Sequence, residues 1–160
     1  MRTSVSFNEF EPSSNTASRT LARIRSSETT AEKLLRSALW KRGLRFRKNV
    51  RKLPGTPDIV SARWRLAVFC DGDFWHGRQW SKDRLRLKSG ANPGYWIRKI
   101  EANMERDKRC NRKLKHLGWR VIRVWESDVR RNPAHAAQRI IRAAILKHPS
   151  RDRMGRLRLS

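Results

Sequence analysis

The first regular pattern of apolar and polar positions lies in SSETTAEKLLRSALWKRGL, residues 26–44. Four apolar residues recur there at helical spacing: Leu34, Leu35, Ala38 and Leu39. The serines and threonines that precede them are candidate N-caps, and Gly43 is a typical helix stop. The pattern therefore predicts an amphipathic helix that ends near Gly43.

Two short apolar runs follow, and a charged turn separates them. A Pro-Gly break leads into Asp58-Ile59-Val60, and the second run is LAVFC, residues 66–70. This arrangement predicts a β-hairpin. If the turn centres near Trp64, antiparallel pairing brings Asp58 against the end of the second strand, where Cys70 and Asp71 lie. Two carboxylates would then meet at one edge of the sheet.

The second half of the chain begins with the pattern of a long helix. Apolar residues line one face of residues 95–117, and Gly118 ends the pattern. Asp107 lies on that same face. A carboxylate in this position is either half-exposed or paired with a basic group such as Arg106 or Arg123, and we favour a structural ion pair with its neighbour Arg106 over a catalytic role.

The remaining patterns are a strand, a helix and a polar segment. Residues 119–126, WRVIRVWE, are rich in β-branched and aromatic residues and predict a buried strand. HAAQRIIRAAILKH, residues 135–148, predicts an amphipathic helix, and the turn-rich segment 78–94 predicts an exposed loop. In chain order these elements are helix, hairpin, helix, strand and helix, which favours an α/β domain with a mixed sheet.

The two ends of the chain lack a hydrophobic period. Residues 1–20 are rich in Ser, Thr and Asn and predict a flexible arm, and residues 149–160 predict a basic tail. The length of 160 residues suits one ordinary core, so we assign one folded domain to residues 21–148.

The net charge of the chain indicates the class of molecule that it binds. It has 39 Lys+Arg against 14 Asp+Glu, a formal net charge of +25. Such a chain repels itself unless a polyanion neutralises it, so nucleic acid is the favoured partner. A basic membrane protein is the competing interpretation, but no run reaches the roughly 18 apolar residues of a spanning helix, and no apolar signal core is present. We expect a cytoplasmic protein without a disulfide framework, because it has only two cysteines.

Two aspartates and a histidine stand in VFCDGDFWHG, residues 68–77. Hydrolysis of a phosphodiester requires a cation that offsets negative charge and a group that handles a proton. Asp58, Asp71 and the backbone carbonyl of Cys70 are candidate Mg²⁺ ligands, because this ion prefers oxygen. His76 is the candidate general base or acid. The alternative is that these acids are merely solvated turn residues.

Aromatic and basic side chains around this motif are candidate DNA contacts. Phe74 and Trp75 either wedge into a base stack or pack in the core. The basic segment 78–88 either contacts the DNA backbone, through side chains such as Arg78, Lys82 and Arg84, or forms an ordinary solvated face.

Together these motifs resemble the very short patch repair (Vsr) endonucleases, which nick DNA beside a T:G mismatch left by deamination of 5-methylcytosine. The matching segments are TTAEKLLRSAL, LPGTPDIV, VFCDGDFWHG, YWIRKIEANMERD and LGWRVIRVWE, in the order and spacing of that family. The resemblance covers roughly residues 18–128. It implies a restriction-endonuclease-like (PD-(D/E)xK) core, with a mixed central sheet flanked by helices.

The resemblance also implies roles for individual residues. Asp58 matches the principal Mg²⁺-binding aspartate, and Cys70 matches the residue whose carbonyl helps to bind the metal. His76 matches the catalytic histidine, and Glu32 matches a glutamate of the first helix near the water shell of the metal. The aromatic residues that intercalate beside the mismatch correspond to Phe74, Trp75 and Trp96.

The chain departs from the best-known members of the family in two places. Asp71 stands where they carry a second catalytic histidine, which moves the site toward a two-carboxylate arrangement and leaves more of the proton chemistry to His76. Their structural zinc is held by Cys and His, whereas the corresponding residues here are Asp73, Arg78, Trp80 and Ser127. We therefore predict no zinc, and an ion pair between Asp73 and Arg78 that shapes the recognition loop.

The resemblance implies a Mg²⁺-dependent nicking endonuclease that acts as a monomer on double-stranded DNA with a T:G mismatch. Its expected location is the bacterial cytoplasm, at the nucleoid, and a cytosine methyltransferase system and other repair proteins are candidate partners. One alternative is a restriction-type or structure-specific endonuclease with the same core and a different target. The alternative from another class is a basic DNA-binding protein without catalytic activity.

Overall fold

The elements of the fold are seen in a computed structural model that describes residues 28–90 and 92–145. The expectations for the arm 1–20 and the tail 149–160 lie outside the described residues. The described helices are α1 (Thr30–Lys41), α2 (Trp80–Lys88), α3 (Pro93–His116), α4 (Glu126–Arg131) and α5 (Pro133–Ile145). The described strands are β1 (Arg47–Lys48), β2 (Ile59–Ser61), β3 (Leu66–Asp71) and β4 (Arg120–Trp125).

The first helix begins as its sequence predicts. The hydroxyl of Thr29 accepts a hydrogen bond from the backbone N–H of Glu32, and the Glu32 carboxylate accepts one from the backbone N–H of Thr29. This capping box satisfies two backbone donors that the first turn leaves free. Gly43 follows the helix with a positive φ of 86°, so the predicted stop is confirmed.

The predicted hairpin is confirmed by the pairing of β2 with β3. The two strands are antiparallel, with Ile59 opposite Val68 and Ser61 opposite Leu66, so the turn lies at residues 62–65. The short strand β1, which the sequence did not predict, adds to β2 in antiparallel orientation. On the other side β4 pairs with β3 in parallel, and the sheet is therefore mixed, in the order β1-β2-β3-β4.

Alternating residues of β3 face two helical layers. Leu66 and Val68 belong to the large core formed with α1, α4 and α5. Ala67 and Phe69 face the opposite side of the sheet and belong to a smaller cluster with Leu114 of α3. Side chains of a strand point alternately to its two faces, and here both faces are covered. None of the described helices is both long and apolar enough to cross a bilayer.

The prediction of a loop over residues 78–94 is wrong for Trp80–Lys88, which forms the exposed helix α2. The segment 80–88 contains neither Gly nor Pro and is rich in Lys, Arg and Leu, which favour helices. None of its residues is buried, so the helix has no apolar face that a hydrophobic pattern would reveal. The turn signals belong only to the residues that follow it.

Candidate active site

The sequence-predicted residues meet around one cavity of about 700 Å³ at the edge of the sheet where β3 and β4 end. Because these strands are parallel, their carboxyl ends open at the same edge, which is a common place for functional groups. The residues of this central cavity that carry chemistry are Glu32, Asp58, Cys70, Asp71, His76, Asp107, Arg123 and Glu126.

Asp58 lies immediately before β2, and hairpin pairing carries it to the end of β3 as predicted. Its Oδ2 accepts a hydrogen bond from the backbone N–H of Cys70 at 2.8 Å. Burial, assisted by the charges of Glu32 and Asp71, raises the pKa of Asp58 to about 6 against the lowering effect of that hydrogen bond. A carboxylate in this state is costly to keep ionised, and a bound cation would offset the cost.

The donor atoms beside Asp58 are oxygens. Burial raises the pKa of the Cys70 thiol, and the nearby charge of Asp58 adds to the shift, so this residue offers its backbone carbonyl rather than a thiolate. Among residues 28–90 and 92–145, no group of three or more His, Cys, Asp or Glu side chains is arranged to hold a metal ion. A site with one carboxylate, one carbonyl and several waters fits Mg²⁺, which keeps much of its hydration.

Glu32 is buried beside Asp58 and is held by its own helix. It closes the capping box with Thr29, and its Oε2 lies 3.4 Å from Nη1 of Arg36 one turn later. Its charge is close enough to raise the pKa of Asp58. The structure thus brings Glu32 to the cavity, and its role near a metal's water shell stays a prediction.

Asp71 lines the same cavity, but its carboxylate is bound by an arginine. Arg123 Nε lies 2.5 Å from Asp71 Oδ2, and Arg123 Nη2 lies 2.8 Å from Oδ1. The expectation of two carboxylates open to one cation therefore needs correction, because both Asp71 oxygens already accept hydrogen bonds from a guanidinium. The antiparallel pairing of the hairpin predicted the position of Asp71 correctly. It did not predict that the ionic partner of Asp71 is Arg123 of β4.

His76 and Asp107 form a hydrogen-bonded pair, which we call the dyad. His76 Nδ1 and Asp107 Oδ2 are 2.5 Å apart. Burial raises the pKa of Asp107, but the hydrogen bond with His76 and the charge of Arg123 outweigh it, so the pKa lies below the usual value. The ionised Asp107 therefore accepts and Nδ1 donates, which leaves Nε2 as the ring nitrogen that could accept a proton from water.

Asp107 pairs with one of the two arginines that the helix pattern suggested and not with the other. Asp107 Oδ1 lies 3.0 Å from Nη2 of Arg123, one of the two basic partners that the helix pattern suggested. The favoured structural pair with Arg106 is not formed, since both described ionic contacts of Asp107 are with His76 and Arg123. The feature of the sequence that pointed to the dyad was Asp107, an acidic residue on the apolar face of the long helix.

The predicted aromatic residues gather beside the cavity. The ring centroids of Phe74 and Trp75 are 5.2 Å apart, and those of Trp75 and Trp96 are 5.9 Å apart. All three are half-buried, and Trp75 also lines the cavity. They form a surface cluster rather than part of either buried core. Intercalation by this cluster stays a prediction.

The predicted ion pair between Asp73 and Arg78 is confirmed, with Nη1 and Oδ1 2.8 Å apart. Arg78 also donates to the Ser127 hydroxyl and, through Nη2, to Asp128 Oδ1 at 2.7 Å. The backbone N–H and hydroxyl of Ser127 donate to Asp73. These four residues, here called the loop clamp, tie the loop after β3 to the start of α4.

The loop clamp changes the expectation for Arg78 as a DNA contact. Its guanidinium is occupied by Asp73, Ser127 and Asp128, so its hydrogen bonds serve the loop. Contact with DNA stays a prediction for Lys82 and Arg84, which are exposed on α2.

Sequence comparisons identify relatives of this chain. A family model described as DNA mismatch endonuclease Vsr matches residues 10–82. The type II nicking enzyme V.HpaIIP of Haemophilus parainfluenzae is 48% identical over 105 residues, which cover 66% of this chain and 73% of the relative. The type II nicking enzyme V.NmeDIP of Neisseria meningitidis serogroup C is 38% identical over 131 residues, 82% of this chain and 83% of the relative. The DNA mismatch endonuclease Vsr of Escherichia coli K12 is 37% identical over 115 residues, 72% of each chain.

Proposed function

The chain belongs to the Vsr family of DNA endonucleases, and from that premise we propose that it nicks one strand of DNA next to a T:G mismatch in a Mg²⁺-dependent reaction. The observation that supports this proposal most directly is the dyad of His76 and Asp107 in the same cavity as Asp58. A group that accepts a proton and a carboxylate in need of a cation are the two parts that phosphodiester hydrolysis requires.

Asp58 and the Cys70 carbonyl are the residues that would hold the ion. Bound Mg²⁺ would offset the negative charge that develops on the phosphate during hydrolysis. His76 then accepts a proton from the attacking water at Nε2, while Asp107 stabilises the imidazolium that results. Water in the cavity of about 700 Å³ would supply the proton for the leaving oxygen.

The fold supports a restriction-endonuclease-like core. A hairpin and a parallel strand form the mixed sheet, and the acid before β2 lies beside the carboxyl end of β3. The aromatic cluster of Phe74, Trp75 and Trp96 lies next to the cavity and is the proposed wedge beside the mismatch. The proposed setting is a monomer at the nucleoid in the bacterial cytoplasm, because a nick in one strand needs only one site.

A second candidate target is supported by the names of the relatives and by the absence of Cys and His at the zinc positions. Two of the relatives are named type II nicking enzymes. The loop clamp stands where the resemblance implied a zinc site, so the recognition loop is built from different contacts. A restriction-type or structure-specific endonuclease with the same catalytic residues is therefore the alternative.

Cleavage of two duplexes that differ in a single base pair distinguishes these functions. The protein is incubated with a T:G duplex and with the otherwise identical C:G duplex, each in Mg²⁺ or in EDTA. A nick confined to the T:G duplex and to Mg²⁺ is the expected result. Cleavage of both duplexes supports the alternative target, and binding without cleavage of either contradicts an endonuclease.

A further inference from the structure

Arg123 is a half-buried guanidinium between the sheet and the dyad. It lies on β4 opposite Phe69 of β3, and its guanidinium carbon is 4.5 Å from the centroid of that ring. About 20% of its side chain is exposed, against 5% for Asp71 and 16% for Asp107. This contact with Phe69 limits the positions that the guanidinium can take.

The guanidinium connects two carboxylates that would otherwise repel each other. It binds Asp71 through two nitrogens, and Nη2 also lies 3.0 Å from Asp107 Oδ1. Nη1 is 3.3 Å from the side-chain oxygen of Asn111, one turn beyond Asp107 on α3. These contacts attach the face of α3 that carries Asp107 to the end of β3.

The other oxygen of Asp107 holds His76. The contacts therefore run from Asp71 through Arg123 and Asp107 to His76 Nδ1, and Asp71 Oδ1 itself also lies 3.8 Å from His76 Nδ1. If Arg123 were removed, Asp71 and Asp107 would remain in the cavity as unpaired partly buried carboxylates. Such groups are costly, and they relieve the cost by moving apart. This movement would release the imidazole from its present orientation.

We propose that Arg123 is a positioning residue for His76, and that Asp71 serves as the counter-ion of Arg123 rather than as a metal ligand. The assignment of His76 to the reaction rests on the proposed function. In this chain the Asp71 carboxylate and the Arg123 guanidinium bind each other beside the dyad. The proposed metal ligands are then Asp58 and the Cys70 carbonyl.

Single-turnover nicking of pre-bound DNA gives the kinetic test. Arg123→Met should lower the rate about 10- to 100-fold, as loss of a group that orients a reacting side chain commonly does. The DNA affinity and the Mg²⁺ concentration for half-maximal rate should stay at the parental values. Arg123→Lys, which keeps the charge, should recover part of the rate. Arg112→Met, which removes an exposed arginine of α3 that pairs with Glu105 rather than with the dyad, is the matched control and should nick at the parental rate.

Asp71→Asn separates the counter-ion from the ligand. A counter-ion predicts that Asp71→Asn resembles Arg123→Met and that the double variant Asp71→Leu with Arg123→Met is no slower than Arg123→Met alone. That double variant also removes both charges together, so it tests the pair if Arg123→Met alone does not fold. A metal ligand predicts instead that Asp71→Asn raises the Mg²⁺ requirement while Arg123→Met does not.

Proton NMR tests the positioning without any cleavage. The proton on His76 Nδ1, held by Asp107, should give a far-downfield resonance that disappears in His76→Gln. Arg123→Met should broaden or remove this resonance, and Arg123→Lys and Arg112→Met should keep it. A folded Arg123→Met protein that keeps both the resonance and the parental rate would overturn the proposal. If the parental protein cuts no DNA, the proposed function fails, and the resonance still decides whether Arg123 positions His76.

Discussion

Asp58 shows how one buried side chain links stability to function. Its pKa is raised from 3.8 to about 6, chiefly by burial. The folded protein therefore binds a proton at Asp58 more tightly than the unfolded chain does. This difference favours the folded state below pH 4, and the benefit is lost as the pH rises through about 6. At neutral pH the ionised group is a cost of the free enzyme.

Asp58→Asn should therefore stabilise the metal-free protein at pH 7.5, by at most about 3 kcal/mol, because it removes the buried charge and keeps an oxygen for the Cys70 N–H. The gain should shrink as the pH falls toward 4. Urea unfolding in EDTA at the two pH values measures it. An equal gain at both values would mean that the charge of Asp58 is not the cause.

His76→Gln should lower the single-turnover rate by about 100-fold or more, because glutamine cannot take a proton from water. DNA affinity should change little, since the imidazole is held by Asp107 inside the cavity rather than by a contact with phosphate. Gel-shift titration and a quench-flow time course on the same DNA measure the two quantities. Loss of affinity without loss of rate would place His76 in binding.

The sequence alone predicted contacts that follow from the pairing of β2 with β3 in the hairpin. The contact of Asp58 with Cys70 is one of these. It did not predict that Arg123 binds Asp71, since that contact depends on the parallel register of β4 against β3. Parallel strands are joined by long crossovers, and their register cannot be read from the turn. Asp107 was visible as an acid on an apolar helix face, but its choice of Arg123 over Arg106 required the packed sheet.

At the scale of the element, periodicity predicted the helices that bury a face and missed those that do not. α1, α3 and α5 carry apolar stripes and were predicted. α2 buries none of its residues, and α4 spans only one and a half turns or so around Val129, so neither presents a sustained pattern. Strand β1, with two exposed residues, is set by pairing with β2 rather than by its own composition.

The loop clamp acts at the scale of the element, because it attaches one loop to one helix. Arg78→Met should destabilise the protein, since it breaks charged hydrogen bonds with Asp73 and Asp128. Arg86→Met is the matched control, because its pair with Asp83 involves a largely exposed arginine, and it should change stability by less than about 0.5 kcal/mol. Chemical denaturation measures both.

A metal chelator extends the test of the loop clamp. If the clamp takes the place of zinc, EDTA should leave the midpoint of thermal unfolding unchanged, and elemental analysis should find no zinc in the purified chain. One zinc per chain, or a large loss of stability in EDTA, would contradict this.

At the scale of the whole molecule, charge is distributed unevenly. The chain carries a net +25, yet the cavity gathers carboxylates of Glu32, Asp58, Asp71 and Asp107. A basic exterior attracts the DNA backbone, and an acidic interior attracts a cation. The two features together suit an enzyme whose substrate and cofactor have opposite charges.

Exposed basic residues of α2 should contribute to affinity without setting the target. Lys82→Ala and Arg84→Ala should each weaken binding to matched and mismatched duplexes alike, and each should reduce the slope of log affinity against log salt by about 1. Titrations at several salt concentrations measure this. A variant that weakens only T:G binding would instead give that side chain a part in mismatch recognition.

The most direct measurement for the proposed active site is single-turnover cleavage of pre-bound T:G DNA by Asp58→Ala at saturating Mg²⁺. The expected result is a complex that forms as tightly as the parental one, or more tightly, since a negative charge near phosphate is gone, and that leaves the DNA uncut. Cleavage by this variant at the parental rate would show that the metal and the chemistry lie elsewhere.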